Sequence, residues 1–124
     1  MKFLVMIYND DSLLEALPAG EADTMMRGCF KHADELRSSG KLLDSQQLEA
    51  PTVSKSLRVR NNKMTIVDGP FSEAKEYLGG FNLIEAENMD EAVEIAKQFP
   101  WSRTGRVEVR PLKDLDDVRR AVGA

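Results

Sequence analysis

The chain switches between two hydrophobic periods, and the switches mark its elements. Phe3 to Tyr8 is apolar at every position, so a strand there should be covered on both faces. Helices would cover one face and something else the other, which hints at a partner subunit. Asn9 to Gly20 is an irregular connection in which Ser12-Leu13-Leu14-Glu15 has capping-box spacing for a single helical turn. From about Glu21 to Ser39 the period changes. Ala22, Met25, Met26, Cys29, Phe30, Ala33 and Leu36 share one arc at about 100° per residue, with Lys31, Asp34 and Glu35 opposite. This predicts an amphipathic helix stopped by Gly40, weakened by roughly 1 kcal/mol at Gly28.

Lys41 to Leu48 reads as a strand that Ala50-Pro51 breaks. Val53, Lys55, Leu57 and Val59 then alternate with Ser54, Ser56, Arg58 and Arg60. The Asn61-Asn62 pair tolerates left-handed geometry and predicts a tight hairpin into Lys63–Val67. Asp68-Gly69-Pro70-Phe71 must end that strand, because Pro70 has no amide hydrogen and holds Gly69 out of the helical region. Tyr77 to Ile84 is the next strand, and Gly79-Gly80 inside it marks a bulge, a bend or a close backbone approach. Asn88-Met89-Asp90-Glu91 is a second capping box. It opens a helix with a core face of Met89, Ala92, Val93, Ala96 and Phe99, closed by Pro100. Arg106 to Arg110 alternates sharply until Pro111. The charged tail Leu112 to Val122 is expected as a helical turn or two, with Leu115 and Val118 resting on the body.

The order is strand, helix, strand, hairpin, strand, helix, strand, with no repeat or linker to divide residues 1–124 into more than one domain. The fold class is therefore α+β: a plait with an antiparallel sheet and two helices on one face. Such a plait leaves its other sheet face bare. A homodimer formed through that open face is the expected remedy.

Several of these residues recur together in a known family. Val67-Asp68-Gly69-Pro70-Phe71, then Lys75-Glu76, Leu78-Gly79-Gly80-Phe81 and Glu108-Val109-Arg110-Pro111, resemble the YCII-related family with the Asp-Gly-Pro-Phe signature. The likeness extends to Met1–Met6 and to Ser39-Gly40-Lys41-Leu42-Leu43, and so covers nearly the whole chain. The resemblance implies a ferredoxin-like subunit that pairs into a dimeric α+β barrel. It also implies a small bacterial protein of a kind mostly without assigned function, in which a polar pocket with histidine and aspartate points to enzymatic work.

Composition narrows the chemistry. With 42% hydrophobic and 31% charged residues, the 124-residue chain suits an ordinary soluble domain able to bury a core. A net charge of −4 offers no footprint for nucleic acid or an anionic membrane. The single cysteine, Cys29, excludes an internal disulfide and suits a reducing cytoplasm. Asn9-Asp10-Asp11 ends the first apolar run too early for a membrane span or a signal segment. One histidine cannot build a multi-histidine metal site in one subunit, and no phosphate-binding or dinucleotide motif occurs, so no metal or cofactor is expected.

His32 lies at the margin of the helical arc, where packing would hold the ring while one nitrogen reaches a polar cleft. That suits a general acid or base; the alternative is a surface imidazole bonded to solvent or a carbonyl. Asp68 is either its carboxylate partner or a turn residue bonding local amides. The signature loop is expected to pack Phe71 inward as an anchor and to face Asp68 into a pocket. Arg58 and Arg110 are candidates for an anionic substrate, or else for ion pairs on the sheet, and Tyr77 is a candidate pocket hydroxyl. Cys29 reads as a buried, inert thiol. Two function classes follow. One is an acid–base enzyme on a small molecule through His32 and Asp68; the other is a non-catalytic ligand-binding or regulatory homodimer.

Overall fold

A computed structural model describes all of residues 1–124. Six strands and four helices follow one another as β1 (Lys2–Asp10), α1 (Asp11–Glu15), α2 (Glu21–Ser38), β2 (Leu42–Gln47), β3 (Lys55–Arg60), β4 (Lys63–Asp68), β5 (Glu76–Glu85), α3 (Met89–Lys97), β6 (Gly105–Pro111) and α4 (Leu115–Val122). The main sheet has four antiparallel strands in the order β2-β5-β1-β6. With α2 and α3 on one face this is a ferredoxin-like α+β plait. The hairpin β3–β4 forms a second, two-stranded sheet of its own.

The first strand earns its central place by composition. Phe3, Val5 and Ile7 point toward the helices and are buried with Met25, Ala33 and Leu36 of α2 and Ala92, Ile95 and Ala96 of α3. Leu4, Met6 and Tyr8 point the other way, opposite Arg110, Glu108 and Arg106 of β6. Phe81 and Leu83 of β5 lie beside Met6 and Leu4 on that same open face.

Local signals act largely where the residues place them. Gly40, at φ 77°, stops α2, and the amide of Lys41 returns to the carbonyl of Leu36 at 2.9 Å. Asn61 and Asn62, at φ 52° and 60°, make the hairpin turn. Asn88 caps α3 by accepting from the Glu91 amide at 2.9 Å. The return arm of that capping box differs: Glu91 accepts from the Glu87 amide at 3.4 Å and pairs with Lys41 at 3.2 Å.

Four local expectations need correction. The cap of α1 is Asp10, not Ser12; its carboxylate accepts from both the amide and the hydroxyl of Ser12. Residues Pro51–Val53 form a 3₁₀ turn, so the β3 ladder starts only at Lys55. On α3 the buried set is Ala92, Ile95 and Ala96, while Met89 is exposed, because the helix is rotated toward Ile95. The tail is helical as α4, yet Leu115 and Val118 are exposed and do not rest on the body.

Candidate functional site

The Gly79-Gly80 pair lines a cleft between α2 and the sheet. Ile7 pairs with Gly80 and Tyr8 with Leu78, so Gly79 is the extra residue of a β-bulge in β5. A Cβ on Gly80 would stand 2.8 Å from the carbonyl oxygen of Gln46 on β2, and one on Gly79 would collide with the side-chain amide of Asn9. The two glycines therefore let the Asn9 side chain and the β2 backbone approach β5 closely along the cleft floor.

Over that floor stands α2. The cleft encloses about 350 Å³ between α2, Leu14 near the end of α1 and the β2–β5–β1 part of the sheet, with Trp101 also lining it. Its apolar wall comes from Ile7, Leu14, Met26, Phe30 and Trp101. Asn9, Ser45, Gln46, Gln47 and Asn82 supply neutral polar groups, and Asp23 is the one formally charged residue along it.

Asn82 is the most constrained of these. It sits on the helix side of β5 between Val5 of β1 and Ser45 of β2, and only 3% of it is exposed. The Ser45 hydroxyl donates to its side-chain oxygen at 2.6 Å. Its NH₂ group takes part in no side-chain hydrogen bond but is not fully buried; the fully buried polar side-chain atoms without a hydrogen-bond partner lie elsewhere, at Glu85 Oε2 and Thr104 Oγ1.

The Trp101 indole N–H donates to Cys29 Sγ at 3.4 Å. Burial pushes the Cys29 thiol up from its ordinary pKa, and the indole bond opposes that shift. Cys29 is only partly buried and lines the cleft, so the expectation of a buried thiol is corrected.

The residues singled out from the sequence lie elsewhere, and neither His32 nor Asp68 lines this cleft. His32 is buried between the two long helices, edge-on to Phe99 with ring centroids 4.5 Å apart. Its Nε2 donates to the carbonyl of Ile95 at 3.1 Å, since a carbonyl can only accept. Asp68 ends β4 in solvent, 2.5 Å from Lys55 Nζ across the hairpin. No hydrogen bond or ion pair links it to His32.

The signature loop is tied down at Gly69 but does not face inward. Gly69 takes φ 79°, its amide donates to the Ser54 carbonyl at 2.8 Å, and its carbonyl accepts from the Ser56 hydroxyl at 2.8 Å. Phe71 is 38% exposed and carries the guanidinium of Arg58 over its ring at 4.0 Å, so the expectation of a buried anchor is corrected. Arg110 is exposed on the open sheet face. Tyr77 lies at the start of β5 and donates to the Asp11 carboxylate at 2.5 Å. That bond, with burial behind it, raises the phenol above its ordinary pKa.

The five candidates are thus spread over the α2–α3 interface, the hairpin, the open face and the start of β5. The cleft residues Asn9, Ser45, Asn82 and Trp101 were missed as a group. The one signal for them was the glycine pair, which marks the close approach of Asn9 and β2 to β5 at the cleft floor.

Comparison with known proteins gives a family and supplies no activity. An uncharacterized protein of Rhizobium meliloti (strain 1021) is 35% identical over 114 residues, spanning 90% of this chain and 92% of the relative. The YCII-related domain profile matches residues 1–116, which takes in the cleft, the hairpin and the signature loop. The chain belongs to the YCII-related domain family.

Proposed function

We propose that the protein binds a small molecule in the cleft between α2 and the sheet, working as a homodimer. The observation that carries this reading is the cleft floor. Gly79 and Gly80 line the cleft beside Asn82, whose side-chain oxygen is held by Ser45 while its NH₂ group makes no side-chain hydrogen bond. An amide donor that keeps access to a mostly apolar cavity suits a ligand or an ordered water. The volume of about 350 Å³ falls at the small end of ligand sites.

The dimer reading draws on exposed apolar surface. Leu57, Val59, Met64 and Ile66 occupy one face of the hairpin, and each is more than half exposed. Leu78 and the half-buried Leu4, Phe81 and Leu83 extend the apolar area on the open sheet. A second copy would cover both. The free Cys29 thiol supports a reducing, cytoplasmic setting, and recovery of the protein from an oxidising compartment would count against it. No helix is long and apolar enough to cross a membrane.

Trp101, the single tryptophan, lines the cleft and reports on it. A small-molecule panel read by thermal shift and indole fluorescence should yield compounds that raise Tm and change Trp101 emission together. A panel in which stabilising compounds leave the indole unchanged would move the site elsewhere. Acid–base chemistry through His32 and Asp68 is a second proposal. It requires the His32 imidazole titration to move in Asp68→Asn, and an unmoved titration would remove it.

A further inference from the structure

Resting on the binding reading above, we infer that the cleft selects uncharged molecules bearing an oxygen acceptor, and that Asn82 is the specificity-determining residue. No lysine, arginine or histidine lines the cleft, so a carboxylate or phosphate entering it would lose water and gain no countercharge. An ammonium group finds only Asp23, which is exposed at the rim. The polar groups at the floor are amides and a hydroxyl, which bond neutral partners without a charge penalty.

The bond to Ser45 fixes the direction of recognition. It occupies the side-chain oxygen of Asn82 and orients the NH₂ group as the free donor. The complementary ligand group is a carbonyl or another neutral acceptor oxygen, carried on an apolar or aromatic body that packs against Met26, Phe30 and Trp101. A site built to donate to a ligand oxygen rejects analogues that lack one, because its own donor is then left unpaired.

The test uses three probes on one aromatic frame: benzamide, benzoate and benzylammonium, titrated into the full chain while the Trp101 indole N–H resonance is followed. Benzamide should bind at least about tenfold more tightly than either ion. Asn82→Leu should lose roughly that factor for benzamide. Should the apolar replacement fail to fold, the near-isosteric Asn82→Asp substitutes an acceptor and a charge for the donor. It should then favour benzylammonium over benzamide. If benzoate or benzylammonium shifts Trp101 as well as benzamide does, or if Asn82→Asp leaves the order unchanged, the selectivity inference is overturned while binding in the cleft stands. If no probe moves the indole at millimolar concentration, the cleft reading itself falls and takes this inference with it.

Discussion

His32 shows how one polar side chain can serve packing. Its N–H reaches the Ile95 carbonyl in the last turn of α3, and its ring meets the edge of Phe99, so it joins the two long helices at their buried faces. Removing it deletes a buried ring and one hydrogen bond. His32→Ala should cost about 2–4 kcal/mol in denaturant unfolding, with any ligand affinity of the cleft changed far less. Phe71 is the opposite case. Its ring is 38% exposed, so Phe71→Ala should cost well under the roughly 3–5 kcal/mol of a buried phenylalanine. Asp10 gives the pH dependence a direction. Its carboxylate is held below the ordinary value by the Ser12 hydroxyl, against the effect of burial, with the Ser12 amide and Lys75 assisting. The folded state therefore binds this proton more weakly than the unfolded state does. The stabilisation is complete above the unfolded carboxylate pKa of about 3.9 and is lost as pH falls through the lower folded value. Denaturant midpoints of Asp10→Asn should lose part of the acid-side decline that the natural chain shows below about pH 4.

At the scale of elements, legibility followed the range of the signal. The strand β1, the helix α2 and the hairpin turn were readable because each is set by neighbours in sequence: a continuous apolar run, a helical arc, an asparagine pair. The cleft was not. Asn9, Ser45, Asn82 and Trp101 meet only because β5 pairs with both β1 and β2, and strand register is invisible in a local window. Asn82 by itself looks like a polar position in an alternating strand, and Trp101 lies in a short turn after Pro100 that had no predicted role. The glycine pair makes a test of the element. Gly80→Ala meets the carbonyl oxygen of Gln46, which is backbone, so the β2–β5 ladder must shift at a cost of about 1–3 kcal/mol. Gly79→Ala meets the end of the Asn9 side chain, which can swing aside. Thermal unfolding should rank Gly80→Ala as the more damaging, while Gly79→Ala should alter the cleft more than the stability.

The molecule as a whole exposes more apolar surface than its helix-covered core explains. The hairpin stands apart from the main sheet and shows Leu57, Val59, Met64 and Ile66 to solvent. On a lone subunit, replacing Leu57 and Ile66 by lysine would change stability by no more than about 0.5 kcal/mol per site. In a dimer that buries this face, Leu57→Lys with Ile66→Lys should break the assembly. Sedimentation velocity at micromolar concentration decides between these outcomes, with a dimeric natural chain and a monomeric variant expected.

The position of β1 also fixes an order of events during synthesis. It pairs with β5 on one side and β6 on the other, so the first of the six strands to be made acquires its second neighbour only after the other five have been made. Until then Phe3, Val5 and Ile7 have no finished core to enter, and the nascent chain carries an apolar strand with open edges. Folding must then close loops that span most of the chain, a topology that slows the search for the native state. Exposure of β1 during synthesis is therefore relieved only when β6 has paired with it.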